Sequence, residues 1–246
     1  MLTILVNLDS AEERRACMKA QLAAAGIEAE RIGIDFRGST DEDVHRWMRA
    51  HFPHLDFDLD TMCTAEAGCW ASHLSAWWRL AHSQEPSCRV IEDDVLLAPD
   101  FPHATEALRT QHAFDVIYLG TSSKNISTRR RTRIGHVSVH APIGVVFNTW
   151  GYVITREFAR RLFAAGSMKL DMPIDHFLGG RAKRVKPRTG VLRPPVIAEN
   201  PAVGPQSQIQ PYATRLDRHP MWQEARRAIL GSRMSDLYYS TIYRFL

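Results

Sequence analysis

The chain has 246 residues, of which 45% are hydrophobic and 24% are charged, a composition that excludes a disordered or fibrous protein. The formal net charge of +4 suits an anionic small substrate or an anionic membrane surface, and by itself does not indicate nucleic-acid binding. No apolar run approaches the roughly 18 residues that would cross a bilayer, which predicts a soluble or peripheral protein.

The N-terminus and the cysteines indicate a cytoplasmic protein. The stretch MLTILVNLDS lacks the basic region and cleavage site of a signal peptide and is typical of a first strand. The cysteines form no CxxC pair, so we expect reduced thiols at all of their positions. These positions are Cys17, Cys63, Cys69 and Cys88.

The first 36 residues predict a β-α-β unit. Residues 2–8 form a short apolar run, typical of a strand that is buried on both faces. Ser10 and Glu13 have the spacing of a capping box, and Gly26 is expected to end the helix that follows. A second strand is expected at residues 32–36. This unit predicts an α/β fold with a mostly parallel central sheet flanked by helices.

Residues 64–82 are expected to form an interior helix, because two adjacent stripes of it are apolar. The stripes consist of Cys69, His73 and Trp77, and of Trp70, Leu74 and Trp78. Further strands are predicted at residues 90–91 and 115–119. The stretch GYVITREFARRLFAAG predicts a strand and then a helix, with Thr155 as the N-cap and Gly166 as the stop signal.

The C-terminal residues have the clearest helical periodicity in the chain. We therefore divide the chain into a domain of residues 1–217 and a C-terminal helical extension of residues 218–246. The favoured interpretation is a helix packed on the domain, and the alternative is an interfacial helix resting on an anionic membrane. The apolar stripe consists of Met234, Leu237, Tyr238, Thr241, Ile242 and Phe245.

Three acids in the stretch RVIEDDVLLAPDF directly follow the strand predicted at residues 90–91. Side chains alternate along a strand, so Glu92 and Asp94 are expected to share one side while Asp93 faces the other. Two carboxylates at the carboxyl end of a strand suit a hard divalent ion, Mn²⁺ or Mg²⁺, or a ribose. The structural alternative is an acidic turn that merely caps a loop. A phosphodiesterase or a nucleotidyltransferase could use the same acids.

Several blocks of the sequence resemble glycosyltransferase family 25 in their order and spacing. They are VNLDSAEERR, AEAGCWASHLSAW, VIEDDVLLAPDF, IYLG, GYVITREFARRL and MPIDHFL. This family includes galactosyltransferases of bacterial lipopolysaccharide synthesis and the related collagen galactosyltransferases. The resemblance implies a GT-A-like nucleotide-sugar-binding fold, a UDP-hexose donor that is often UDP-galactose, a divalent metal, and inversion at the anomeric carbon.

The resemblance also assigns residues to the donor and metal sites. The acid triplet takes the place of the family's DxD-like motif, which implies Asp94 as the first metal ligand, with Glu92 or Asp93 on the metal or the ribose. The implied donor site further includes Asn7, Leu8, Arg14, Asp35, Ser72 and His73.

Two of these assignments have structural alternatives. Arg14 could be a solvated helix residue, and His73 a hydrogen-bonded core histidine. The sequence departs from the family pattern at Phe36, Ala65 and Gln208.

The block MPIDHFL implies that Asp175 is the general base that takes the proton of the acceptor hydroxyl. His176 is the reserve base and a further metal ligand. Pro173 suits the first turn of a short helix, which places Asp175 near a helix N-terminus. The alternative is a plain N-terminal acid that stabilises the helix through its dipole.

The arginine-rich residues 122–136 are expected to form a loop. The loop is interpreted either as a solvated surface or as a segment that closes over the diphosphate or grips a phosphorylated lipopolysaccharide core.

These features favour a metal-dependent, inverting transferase of a hexose, expected to be galactose, from a UDP-sugar to a glycan or lipopolysaccharide-core acceptor. We expect it in the cytoplasm, with peripheral membrane association through residues 218–246 as the alternative. A non-catalytic sugar-nucleotide-binding protein of the same fold is the second interpretation. A nucleic-acid-binding protein, suggested by the arginines, is a third that we do not adopt.

Overall fold

The computed structural model describes residues 1–122, 126–182 and 184–203, without the side chains of residues 180 and 181. Its strands are β1 (Leu2–Val6), β2 (Glu30–Ile32), β3 (Leu55–Phe57), β4 (Ser87–Glu92), β5 (Val95–Leu97), β6 (Val116–Tyr118), β7 (Ile126–Ile134), β8 (Val137–Pro142), β9 (Gly151–Thr155), β10 (Met168–Leu170), β11 (Thr189–Arg193) and β12 (Ile197–Glu199). Its helices are α1 (Glu12–Ala24), α2 (Asp41–His51), α3 (Thr64–Ala81), α4 (Phe101–Ala107), α5 (Arg156–Phe163) and α6 (Ile174–His176), which continues into a π-helical turn at Phe177–Arg181.

An eight-stranded sheet forms the centre of the fold, in the order β2-β1-β4-β9-β6-β11-β8-β7. β1 pairs in parallel with β2 and β4, and β6 pairs in parallel with β11. Within this sheet β8 and β9 run against the other strands. Small two-stranded sheets pair β3 with β10 and β5 with β12. The predicted α/β class with a mostly parallel central sheet flanked by helices is confirmed.

The central strands are buried on both faces, because successive residues enter different hydrophobic clusters. In β1, Ile4 belongs to the cluster that contains residues of α2, α3 and α5, whereas Leu5 belongs to the cluster that contains residues of α1 and α4. Val90 and Ile91 divide between the same two clusters in β4. The sheet is therefore the middle layer of three.

Helix α3 is the interior helix that its two apolar stripes predict. Trp70, Leu74 and Trp77 are fully buried. Trp78, which follows Trp70 and Leu74 on the same stripe, is 44% exposed and meets the ring of Phe163 edge-on. This burial fixes α3 firmly against the sheet and α5.

The start and the end of α1 differ in how well the sequence predicts them. The capping-box prediction is wrong, because the helix begins after Ala11 without a side-chain cap and the Ser10 hydroxyl instead accepts a hydrogen bond from Arg37. Gly26 follows the helix with φ of +65°, the left-handed conformation expected of its stop signal. Thr155 caps α5 through its side chain, as predicted.

The second strand ends earlier than predicted, since β2 stops at Ile32. The Ile34 amide donates to the Ser72 hydroxyl of α3 at 2.9 Å and not to a neighbouring strand. A Cβ on Gly33 would lie 2.1 Å from the carbonyl oxygen of Asn7, so only glycine allows this close approach of two backbones. The chain therefore leaves the sheet after β2 and becomes available as a cavity wall.

The loop prediction for residues 122–136 is wrong, because most of this stretch is the edge strand β7. A two-residue turn, with Gly135 at φ of +55°, joins it to β8. Its four arginines lie on an exposed edge strand, where positive charge discourages pairing with a further strand. They are Arg129, Arg130, Arg131 and Arg133.

The C-terminal predictions lie outside the described residues. These are the domain boundary at residue 217, the amphipathic helix of residues 218–246, and the departure at Gln208. No helix in the described ranges has the length and the apolar character of a membrane span.

Candidate functional site

A cavity of about 340 Å³ lies at the carboxyl ends of β1 and β4, the place where open α/β sheets bind ligands. Its walls come from the residues after β1 and β2, the first turns of α3, the acid triplet, the segment before β9, and the start of α6. The polar side chains among its lining residues are Asn7, Arg14, Asp35, Arg37, Glu66, Cys69, Ser72, Glu92, Asp93, Asp94, Asn148, Thr149, Asp175 and Glu199.

The acid triplet enters this cavity as a whole. β4 ends at Glu92, and the chain turns at Asp93 and Asp94. The expected alternation, with Asp93 on the opposite side, is wrong because the strand does not continue through the acids, and all three line the cavity.

Asp93 is held by two residues from the β1–α1 region. Its Oδ2 accepts a hydrogen bond from the Asn7 amide at 2.7 Å, and its Oδ1 pairs with Arg14 at 3.3 Å. Burial raises the pKa of the Asp93 carboxyl, although Asn7 and Arg14 oppose that shift. The Arg14 side chain is 11% exposed and also donates to the carbonyl of Val203 at 2.7 Å. The interpretation of Arg14 as a solvated helix residue is therefore wrong.

Within the triplet, the negative charge of Asp94 is the least compensated by hydrogen bonds and positive groups. Its Oδ1 is buried and has no hydrogen-bond partner among the described residues. Burial raises the pKa of Asp94 to about 7, and the charges of Glu92 and Asp93 add to the rise. An opposite charge favours the ionised form of a buried carboxyl, and Mg²⁺ or Mn²⁺ would suit an oxygen donor of this kind. The donor set of Asp94 and Glu92 fits such an ion.

Glu92 lies next to a buried histidine and a thiol. His73 Nε2 is 3.3 Å from Glu92 Oε1, which also accepts a hydrogen bond from the Thr149 hydroxyl. Cys69, His73 and Glu92 each offer a ligand atom within 4.8 Å of the others. Burial raises the pKa of the Cys69 thiol well above its usual value, with the negative charges of Glu92 and Asp175 as the next causes. The thiol is therefore neutral near pH 7.

Asp175 lines the same cavity from α6. Its Oδ1 accepts from the amide of His176 at 2.8 Å, and its Oδ2 from the amide of Asn148 at 3.4 Å. Pro173 is the N-cap of α6 and not its first-turn residue, but Asp175 is in the first turn as predicted. The ring of His176 packs edge-on against Phe147, and His176 is not among the described residues that line the cavity.

Asp35 lies at the exposed rim of the cavity, where Arg37 binds both of its oxygens at 2.9 and 2.5 Å. These hydrogen bonds are the main reason that the pKa of Asp35 is lowered. Arg37 also lines the cavity and was missed from the sequence, although it follows Asp35 by two residues. The rim thus carries a fork of hydrogen-bond donors next to an ionised acid.

A sequence profile described as Glycosyltransferase family 25 (LPS biosynthesis protein) matches residues 1–178 of the chain. The chain belongs to glycosyltransferase family 25. A glycosyltransferase 25 family member from Drosophila melanogaster is 28% identical over 181 residues, which cover 71% of this chain and 29% of that protein. Procollagen galactosyltransferase 2 from Mus musculus is 24% identical over 182 residues, with the same coverage of 71% and 29%.

Relatives of this family 25 chain also include proteins named as inactive. Inactive glycosyltransferase 25 family member 3 from Homo sapiens is 28% identical over 123 residues, which cover 48% of this chain and 20% of that protein. The chain thus spans 29% or less of the length of these three relatives. Among solved structures, the inositol-1-phosphate CTP transferase from T. maritima is similar with a TM-score of 0.33 and 12% identity, over 82% of this chain and 70% of that one.

The family 25 block AEAGCWASH positions α3 against the cavity wall. The Ser72 hydroxyl accepts from the Ile34 amide and donates to the Gly68 carbonyl, both at 2.9 Å, so it joins the helix to the segment after β2. A Cβ on Gly68 would lie 2.9 Å from the carbonyl oxygen of Ile34 and 3.1 Å from the amide of Phe36. Gly68 therefore allows the helix to approach this backbone.

Gly68→Ala is expected to destabilise the protein by about 1–3 kcal/mol, because the added methyl group would contact backbone that cannot rotate away. The usual gain of about 1 kcal/mol for replacing a helical glycine with alanine is then outweighed. Urea unfolding measures the change, and Ala20→Gly on the exposed face of α1 calibrates the propensity contribution. A more stable Gly68→Ala protein would show that the close approach is not rigid.

The departures from the family pattern have different structural contexts. Phe36, which replaces the expected glycine, is buried and meets the ring of Trp47 edge-on at 5.5 Å. It contributes to the core while its neighbour Asp35 stays at the rim. Ala65 lines the cavity in the first turn of α3.

The sequence analysis did not predict that the segment between β8 and β9 forms part of the cavity wall. Thr149 binds Glu92, and the backbone of Asn148 donates to Asp175. Asn148 has φ of +66°, a conformation that asparagine tolerates better than most residues. The sequence signal that could have indicated this wall is the asparagine in FNTWGY, just before the strand predicted from GYVIT.

Proposed function

We propose that this family 25 protein is an inverting, divalent-metal-dependent glycosyltransferase that transfers a hexose, with galactose expected, from a UDP-sugar. The observation that carries the proposal is the buried oxygen of Asp94, which has no hydrogen-bond partner within the described part of the chain and lies in a cavity shared with Glu92 and Asp175. A divalent cation would compensate the charge of that carboxylate, and the same cation could hold an anionic leaving group.

Asp94 and Glu92 are the residues that would hold Mn²⁺ or Mg²⁺, and His176 remains a predicted further ligand. A bound ion of this type would neutralise negative charge that develops on the leaving diphosphate. Asp93 is already held by Asn7 and Arg14, so it suits the ribose or the water shell of the ion better than direct coordination.

Asp175 is the proposed general base. The acceptor oxygen forms a bond to the anomeric carbon while the bond from that carbon to the diphosphate breaks, and UDP leaves with the electron pair. The acceptor's hydroxyl proton passes to a carboxylate oxygen of Asp175. The long 3.4 Å contact from Asn148 to Oδ2 leaves that oxygen the more available of the two.

The names of similar proteins support the proposed donor and acceptor classes. The names of relatives such as Procollagen galactosyltransferase 2 support galactose as the first sugar to test. The family description, LPS biosynthesis protein, supports a lipopolysaccharide-core acceptor, with other glycans as the alternative. Such an acceptor would place the enzyme in the cytoplasm at the inner face of the membrane.

A second candidate is a sugar-nucleotide-binding protein without turnover. It is favoured by the relatives named as inactive and by the departures at Phe36 and Ala65. The acid triplet and Asp175 favour catalysis.

Thermal unfolding with UDP-galactose, UDP-glucose and UDP-N-acetylglucosamine, each with and without Mn²⁺, tests the donor site. A ligand at about 100 times its dissociation constant adds roughly 2.7 kcal/mol of stability when it binds only the folded protein. We expect the largest increase with UDP-galactose and Mn²⁺ together. No increase with any UDP-sugar would contradict both candidates, and binding without UDP release in the presence of acceptor glycans would select the second.

A further inference from the structure

A chain of buried polar side chains lies directly behind Glu92. Trp77, Tyr152 and His73 are all 0% exposed. The Tyr152 hydroxyl is 2.9 Å from Trp77 Nε1 and 2.7 Å from His73 Nδ1. The opposite nitrogen of the same ring, His73 Nε2, is 3.3 Å from Glu92 Oε1, outside hydrogen-bond geometry, and has no hydrogen-bond partner among the described residues.

The proton positions in this chain follow from which atoms can donate. An indole N–H only donates, so the Tyr152 oxygen accepts from Trp77. The Tyr152 hydrogen then needs an acceptor, and His73 Nδ1 is the other hydrogen-bond partner of this hydroxyl among the described residues. A neutral imidazole carries one hydrogen, so His73 carries it on Nε2, the nitrogen that faces Glu92.

We infer that His73 is a positioning residue that presents its Nε2 hydrogen to Glu92 Oε1 in a tautomer fixed by Tyr152 and Trp77, and that a small rotation of the carboxylate brings the two atoms into hydrogen-bond geometry. Thr149 donates to the same oxygen. With both groups directed at Oε1, the other oxygen of Glu92 is left to the cavity, where a metal ion or ribose would bind. The consequence for metal binding rests on the proposed function, whereas the tautomer does not.

A soft metal ion held by Cys69, His73 and Glu92 is the competing use of the same atoms. Such an ion needs a free electron pair on His73 Nε2, which moves the ring hydrogen to Nδ1. The Tyr152 oxygen would then accept two hydrogen bonds, and its own hydrogen would be buried without an acceptor. The buried hydroxyl therefore favours a hydrogen on Nε2, the nitrogen that faces Glu92, over a metal ion at that nitrogen.

Ring-nitrogen NMR of the ¹⁵N-labelled, metal-free protein reads the tautomer directly, at about pH 8 where an ordinary histidine is neutral. The chain has 11 histidines, so the His73 signals are identified by their loss in His73→Gln. We expect the Nε2–H pattern in the wild type and a mixture of tautomers in Tyr152→Phe. An Nδ1–H pattern in the wild type would overturn the inference, even if Tyr152→Phe fails to fold. So would a His73 signal that shifts with stoichiometric Zn²⁺ and is restored by a chelator.

Mn²⁺ binding without a sugar nucleotide measures the positioning effect. His73→Leu removes the donor and is expected to weaken Mn²⁺ binding about 10- to 100-fold. His73→Gln keeps an amide N–H near the position of Nε2 and is expected to retain affinity within a few-fold. Equal affinity in wild type and His73→Leu, or equal loss in both variants with circular dichroism unchanged, would overturn the positioning role. If the wild type binds no Mn²⁺, the proposed function fails while the NMR result still decides the tautomer.

Discussion

Asp175→Asn is expected to lower kcat for hexose transfer by about 100- to 10,000-fold, with donor binding changed only a few-fold. The amide is the same size as the carboxyl, and its oxygen can keep the 2.8 Å hydrogen bond from the His176 amide. Its nitrogen would then face the Asn148 amide, across a contact that is already long at 3.4 Å. The variant should fold normally but cannot take the acceptor's proton.

Release of UDP under saturating substrates measures kcat, and calorimetry measures donor affinity in the same preparation. Asp171→Asn is the matched control, because this exposed acid lies four residues earlier and its contact with Thr61 uses its backbone carbonyl. Unchanged turnover in Asp175→Asn would place the base elsewhere, with His176 as the next residue to substitute. Loss of donor affinity together with kcat would make Asp175 a binding residue.

The centre of the fold is predictable because its signals are local. β1 is a short apolar run and the apolar pair Val90 and Ile91 marks β4, and such patterns are typical of strands buried on both faces. The edge is less predictable. β7 carries four exposed arginines, and its strand conformation depends on pairing with β8 across the turn at Gly135.

The residues of the candidate site also differ in how well the sequence predicts them. The acids of residues 92–94 adjoin one another in sequence, so a carboxylate cluster could be predicted before any fold was known. Tyr152 could not be placed behind His73, because that contact requires β9 to insert antiparallel between β4 and β6. A single sequence does not specify which strands are neighbours in a mixed sheet. Thr149 reaches Glu92 for the same reason.

Asp94→Asn is expected to stabilise the metal-free protein at pH 8–9 by on the order of 2–4 kcal/mol and to change its stability little near pH 4. The pKa of Asp94 is raised from 3.8 to about 7 in the folded chain, mainly by burial. Between these two values the folded protein binds more protons than the unfolded chain, so the wild type loses stability as pH rises. Asparagine cannot ionise, and the difference therefore grows through this window and levels off above it.

Urea unfolding in a chelator at several pH values measures this difference, with Asp100→Asn as the control for an exposed acid. If the unfolding free energies of wild type and Asp94→Asn differ by the same amount at pH 4 and at pH 9, burial of the Asp94 charge is not the cause of the difference.

Saturating Mn²⁺ at pH 8 should reverse the order of stability, because the ion compensates the charge of Asp94 only in the wild type. The binding free energy then adds to wild-type stability, while Asp94→Asn keeps one ligand fewer and gains less. An ion that stabilised both proteins equally would bind elsewhere, and the burial of the Asp94 oxygen would need another explanation. The two measurements thus separate the loss of folding stability that the buried Asp94 carboxylate causes without an ion from the stability that it contributes when the ion is bound. A site that is destabilising without its ligand and stabilising with it is expected when a charge cluster is retained for binding and not for folding.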